Sequence, residues 1–120
     1  MSRDVDLLVG TAEPDSAPSL KPFARDVAAV LGLEGLRVVG DPEYVIGDGE
    51  DFKVWLSFRP EDEEPSLSHP FWLEVAAEMD AEYEVGRRVF QMLADSGRFR
   101  VMLLLDHDCV RSTHFPCGNW

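Results

Sequence analysis

Basic residues are scarce in this chain: 11 Lys and Arg stand against 23 Asp and Glu over 120 residues, a formal charge of -12. A field of that sign repels nucleic-acid phosphates and anionic lipid, so neither nucleic acid nor a membrane surface is an expected partner. Cysteine is also sparse. Two cysteines do not make a disulfide scaffold, and both are expected as reduced thiols. Long apolar runs are missing: Val101–Leu105 is five residues, far short of the roughly 20 that cross a bilayer. The opening MSRDVDLLVG lacks the basic region and long apolar stretch of a secretory leader, which makes the cytoplasm the expected compartment. Nucleotide and catalytic signatures are absent as well. There is no G-x-x-x-x-G-K, no G-x-G-x-x-G and no serine elbow. Asp48-Gly49-Glu50-Asp51 does not follow the ligand order of a calcium loop. No cofactor and no catalytic residue is expected.

What is present is enough for a core. Apolar residues make up 45%, and three Trp and seven Phe argue against disorder despite the charge. The length fits one globular domain over residues 1–120. Asp4–Gly10 reads as a first strand, and 11–18 as a loop with two prolines. Ser19 offers a helix N-cap. Leu20, Phe23, Ala24, Val27, Val30 and Leu31 follow one helical face, and Gly32 supplies the stop. Residues 36–46 read as a second strand with an irregularity at Asp41-Pro42. Phe52–Arg59 alternates, with Val54, Leu56 and Phe58 on one face and Lys53, Trp55, Ser57 and Arg59 on the other, so 36–59 predicts a hairpin.

After the acidic loop Pro60–Pro65, Ser68 can cap a long helix. Trp72, Val75, Ala76, Met79, Tyr83, Gly86, Phe90 and Leu93 keep a period near 3.6 up to Asp95, with Glu74, Glu78, Glu82 and Arg88 on its solvated face. Arg87, Arg88, Arg98 and Arg100 cluster at its end, where they suit its C-terminal dipole. Phe99–Leu105 predicts a central strand covered on both faces, and Cys109–Phe115 one more strand after a turn at Asp106-His107-Asp108. The order β-α-β-β-α-β, with room for an extra C-terminal strand, predicts an α+β ferredoxin-like fold. Its antiparallel sheet would carry two helices on one face.

The segment DHDCVRSTHFPCGNW, 106–120, concentrates the chemistry-bearing side chains. His107, Cys109, His114 and Cys117 hold the right atoms for zinc, but only the last pair has zinc-knuckle spacing, and residues two apart on a strand do not converge on one ion. Asp106 and Asp108 suit a turn better than a carboxylate pair. The segment is therefore expected to close the sheet, with Trp120 docked on the body.

Charge gives the functional expectation. The densest acidity runs from Asp41 to Glu64, nine acids against Lys53 and Arg59. Asp48, Glu50 and Asp51 on a turn and Glu61, Asp62, Glu63 and Glu64 on a loop would ring Trp55, an aromatic anchor among acids. Such a surface suits a basic protein partner and gives fast, steered association. By analogy of size and charge, the expectation is a small acidic inhibitor or bacterial immunity protein that neutralises a basic partner such as a toxin. A regulatory or structural homodimer and a ferredoxin-like enzyme or ligand binder are the alternatives.

Overall fold

The computed structural model describes residues 4–12, 19–78 and 80–120. Two expectations thereby fall partly outside the described residues: positions 13–18 of the loop and Met79 of the helical stripe. Seven strands form one antiparallel sheet: β1 (Val5–Thr11), β2 (Glu34–Val39), β3 (Tyr44–Asp48), β4 (Lys53–Phe58), β5 (Phe71–Ala76), β6 (Phe99–Leu105) and β7 (Asp108–Ser112). Their spatial order is β2-β3-β4-β5-β1-β6-β7. Helix α1 (Leu20–Leu31) follows β1, and α2 (Glu82–Asp95) follows β5. A four-stranded ferredoxin-like sheet is thus the wrong expectation.

Two local events make the difference. Gly40–Glu43 reverses the chain, so the single irregular strand over 36–46 is two strands, β2 and β3. Residues 71–76 are a strand as well. FWLEVA fits a helical stripe and a β alternation equally. The alternation prevails because Phe71, Leu73 and Val75 are buried on one side while β4 and β1 pair with the backbone on both edges. Helix α2 begins only at Glu82. Ser68 caps no helix; Glu64 accepts from its backbone N–H at 2.6 Å and from its hydroxyl at 2.7 Å, closing a turn.

Both helices lie on one face. Phe23, Val27 and Leu31 of α1 and Val85, Val89 and Leu93 of α2 share a cluster with the odd positions of β1, Val5, Leu7 and Val9. α1 ends as expected, with Gly32 left-handed and its N–H on the Ala28 carbonyl. Gly86 lets α2 approach β1, since a Cβ there would stand 2.4 Å from Val5 Cγ1. Phe23 stacks on Phe71, centroids 3.7 Å apart, and meets Phe99 edge-on.

The opposite face is covered only in part. Leu8, Met102 and Leu104 form a second small cluster there, with Trp72, Cys109 and Phe115 against it. Phe115 belongs to the tail after β7, which is therefore the second cover that the buried strand β6 requires. A disulfide joins Cys109 of β7 to Cys117 of the tail, so the expectation of two reduced thiols is corrected. Trp120 donates from Nε1 to the His107 carbonyl at 2.8 Å, which docks the last residue on the β6–β7 turn. Asp106 and His107 both have positive φ in that turn, as two-residue hairpin turns require.

The bond closes a loop of sequence separation 8. Replacing both cysteines by serine should lower unfolding free energy by about 2.5 kcal/mol, the chain-entropy value for so short a loop. Urea denaturation of the wild type with and without reductant should show the same drop. An unchanged midpoint in both experiments would mean that Phe115 holds the tail without the bond.

Candidate functional site

Strand registry arranges the helix-free face in two rows. One row runs Arg37, Ile46, Trp55, Glu74, Asp6 and Leu104 from β2 to β6. The next runs Val39, Tyr44, Ser57, Trp72, Leu8 and Met102. The tail covers the β1–β6 end of these rows. Among the described residues nothing is laid over the β2–β5 portion, where Tyr44, Trp55, Trp72 and Glu74 stand among Arg37, Val39, Ile46 and Ser57. Tyr44, Trp55 and Trp72 are each half-buried there.

Two hollows lie on this open half. One, of about 480 Å³, is lined by Tyr44, Trp55, Ser57, Phe58, Arg59 and Glu74, with the turn Gly40–Glu43 as its rim. The other, of about 330 Å³, is lined by Asp4, Asp6, Arg59, Trp72, Glu74 and His107. Arg59 and Glu74 belong to both. The Arg59 guanidinium lies over the Trp72 ring, 5.4 Å from its centroid.

Asp6 is the unusual member. It is only 7% exposed, and Glu74 stands directly opposite it across the β1–β5 ladder. Like charges in that position destabilise a sheet. Trp72 Nε1 donates to Asp6 Oδ1 at 3.2 Å. Burial pushes the Asp6 carboxyl above its ordinary value, and the charges of Glu74 and Asp4 add to the effect. The Trp72 hydrogen bond and His107 oppose it. His107 itself reaches Asp4, Nε2 to Oδ2 3.2 Å. Among the described residues neither Asp6 nor Glu74 is ion-paired.

The acids expected from sequence are not brought together. Asp48, Glu50 and Asp51 lie at one end of β4, and Glu61–Glu64 follow its other end. Six strand residues separate the groups by about 20 Å. Asp48 is engaged by Arg37 at 2.9 Å and by Lys53 at 3.8 Å. The hydrogen bond from Arg37 is the main reason that its carboxyl sits below its ordinary value. Asp51 pairs with Arg88 of α2, which turns it towards the helices. Glu64 caps the 64–68 turn. Glu50, Glu61, Asp62 and Glu63 remain exposed, and Trp55 does point to the open face, as its alternation indicates.

The loop carrying Glu61–Glu64 is held firmly. The Arg59 N–H donates to the Pro70 carbonyl at 2.7 Å, closing its ends. His69 is buried, with Nδ1 3.1 Å from the Pro65 carbonyl. Burial holds its imidazole below the ordinary value. Gly10 makes room for the loop: a Cβ there would stand 1.9 Å from the Ser68 carbonyl oxygen.

Sequence reasoning missed Asp6, Trp72, Glu74 and Arg59 as one group. It placed Glu74 and Glu82 on a solvated helical face. Glu74 is instead on β5 beside the hollows, and Glu82 is buried at the start of α2. Strand alternation over 71–76 was the available signal, since it sets Trp72 and Glu74 on one face. For metal chemistry, the disulfide takes Cys109 and Cys117 out of the His107, Cys109, His114, Cys117 set. No three His, Cys, Asp or Glu converge among the described residues. The basic cluster works between elements: Arg88 pairs with Asp51 and Arg98 with Asp26 of α1.

The Asp6 carboxyl is raised in the folded state, so the native protein holds that proton in the window above the ordinary value of 3.8. Its contribution to stability is complete below that value and is lost as pH rises through the folded value. Asp6→Asn keeps an oxygen acceptor for Trp72 and removes the charge. It should therefore stabilise the protein at pH 7 by roughly 0.5–1 kcal/mol, the scale of a like-charged cross-strand pair, with the gain vanishing near pH 3. Urea titrations at both pH values check this. His69 acts equally in both proteins and cancels from the difference. Destabilisation at pH 7 would show that the carboxylate is structural.

Compared with known protein families, curated proteins and solved structures, the chain matches none, so its function has to be read from this geometry.

Proposed function

We propose that the chain is an acidic protein-binding module, an inhibitor or immunity protein that receives a basic partner such as a toxin on the open half of its sheet. The observation that carries this is the aromatic floor of Tyr44, Trp55 and Trp72 bordered by Asp6 and Glu74. Aromatic side chains supply the apolar contact area, and the carboxylates select a cationic partner. Glu61, Asp62 and Glu63 are exposed on the loop that follows Phe58 and Arg59, which line the larger hollow. Their role is to steer the encounter rather than to anchor it. The turn acids Asp48, Glu50 and Asp51 lie at the far end of β4 and contribute to the general field.

The cytoplasmic expectation has narrower support. No helix among the described residues is long and apolar enough to cross a membrane. A reducing cytoplasm would, however, tend to open the Cys109–Cys117 bond.

A second reading, a homodimer, is favoured by the edge strand β2. Leu36, Val38 and Val39 are 40%, 43% and 38% exposed on a strand paired on one side only. Edge-to-edge pairing, rather than stacking of faces through Trp55, is then the geometry. Sedimentation equilibrium decides between them: a monomer at micromolar concentration leaves the open face as the partner surface.

The partner itself is found by capture from native lysate at low and high salt, with the purified protein then used in stopped flow. Changing Glu61, Asp62 and Glu63 to lysine should slow association about tenfold at low salt and leave dissociation unchanged. Glu64 is spared because it caps the turn. Trp55→Ala should speed dissociation roughly 30-fold, the scale of a binding hot spot, while the free protein keeps its fold. Wild-type kinetics in both variants would place the partner on another surface.

A further inference from the structure

The smaller hollow has a chemistry of its own. Its floor is the Trp72 indole, fixed by the bond from Nε1 to Asp6. Its walls carry Asp4, Asp6 and Glu74, and the basic side chains that line it among the described residues are Arg59 and His107. Asp4 is engaged by His107, which leaves Asp6 and Glu74 facing Arg59 inside a concave site. Two of the three acids have no ion-pair partner among the described residues. Folding alone does not explain that arrangement: Asp6 is nearly buried, and Glu74 faces it across the ladder.

Resting on the partner-surface reading above, we infer that this hollow is a subsite for one arginine side chain of the partner. The guanidinium would stack on Trp72 and donate to Asp6 and Glu74.

Four points support an arginine over other cations. A guanidinium is planar, so it can lie on an indole while its in-plane N–H groups reach carboxylates at the edge; an ammonium does one or the other well. The ring already accepts such a group, because the Arg59 guanidinium lies 5.4 Å above it. The volume, about 330 Å³, admits one long side chain and not a folded segment. A divalent ion lacks a converging set of three ligands among the described residues.

Arg59 then has a defined part. It is exposed, it makes no ion pair among the described residues, and it lines both hollows. It is an internal stand-in for the guest, displaced at small cost when the partner's arginine enters. The larger hollow beside it, with Tyr44 and Trp55, receives the residues flanking that arginine.

The test uses the full chain and a small probe. N-acetyl-arginine amide is titrated against the backbone and indole N–H resonances, with N-acetyl-citrulline amide as the uncharged isostere. Saturable binding in roughly the millimolar range is expected for a single stacked, paired side chain. It should centre on the Trp72 indole, and citrulline should bind at least about tenfold more weakly. Glu74→Gln should weaken the arginine probe about tenfold. Arg59→Ser should strengthen it several-fold, because the competitor is gone. The unperturbed remainder of each variant's spectrum establishes that it is folded.

Equal shifts for arginine and citrulline, or full binding by Glu74→Gln, would overturn the subsite. Those results would leave the partner-surface reading standing if the captured partner still protects Trp55 and Tyr44. A partner footprint wholly off this face would remove both.

Discussion

A seven-stranded sheet presents two broad faces to water, and among the described residues both α-helices pack on the same one. Everything else in the structure follows from how the second face is managed. Under the central strands β1 and β6, where Leu8, Met102 and Leu104 form an apolar patch beside the nearly buried Asp6, the C-terminal tail folds back and packs Phe115 against that patch. The disulfide and the Trp120 hydrogen bond hold it there. Beyond β1 the cover stops. The strands from β5 to β2 then carry side chains that tolerate water at one end and apolar contact at the other: Trp, Tyr, Glu and Arg.

That division explains why parts of the fold were readable and others were not. α1 and β4 each keep a single period, β1 turns from alternation to an apolar run and β6 is a near-continuous apolar run, and the structure has an element of the expected type at each of these places. β5 is ambiguous by nature. Phe71, Leu73 and Val75 alternate, while Trp72, Val75 and Ala76 fit a helical stripe that runs on into the true helix α2. Six residues cannot separate the two periods. The β2–β3 reversal at Gly40–Glu43 is short enough to resemble a break within one strand. The pairing of Cys109 with Cys117 depends on the tail doubling back, which no local pattern encodes.

The candidate site shows the same limit more sharply. Trp55 was legible as an outward-facing residue because β4 alternates cleanly. The acids around it were not, because acidity along the chain says nothing about which acids share a surface. Asp48 and Asp51 are dense in sequence and largely neutralised by Arg37, Lys53 and Arg88. Asp6 and Glu74 are isolated in sequence, yet the ladder sets them side by side from positions 68 residues apart. Topology, rather than composition, decides where the charge is concentrated. The retained repulsion between these two carboxylates is the kind of local cost that binding sites keep and structural surfaces shed.

The two-row layout of the open face has a consequence for how this protein can change over generations. Each strand from β3 to β5 puts core residues and surface residues on alternate positions. Trp55, Ser57, Trp72 and Glu74 can therefore be exchanged one by one while Val54, Leu56, Phe71 and Leu73 remain in place. Point substitution at Trp55, Ser57 or Glu74 leaves the helix-side core intact. Insertion or deletion of a single residue in β5 is another matter. It would exchange the two sides of the strand, sending Trp72 and Glu74 into the core and Phe71 and Leu73 into water. A lineage of such proteins should thus diversify rapidly in letters while the lengths of these strands stay fixed.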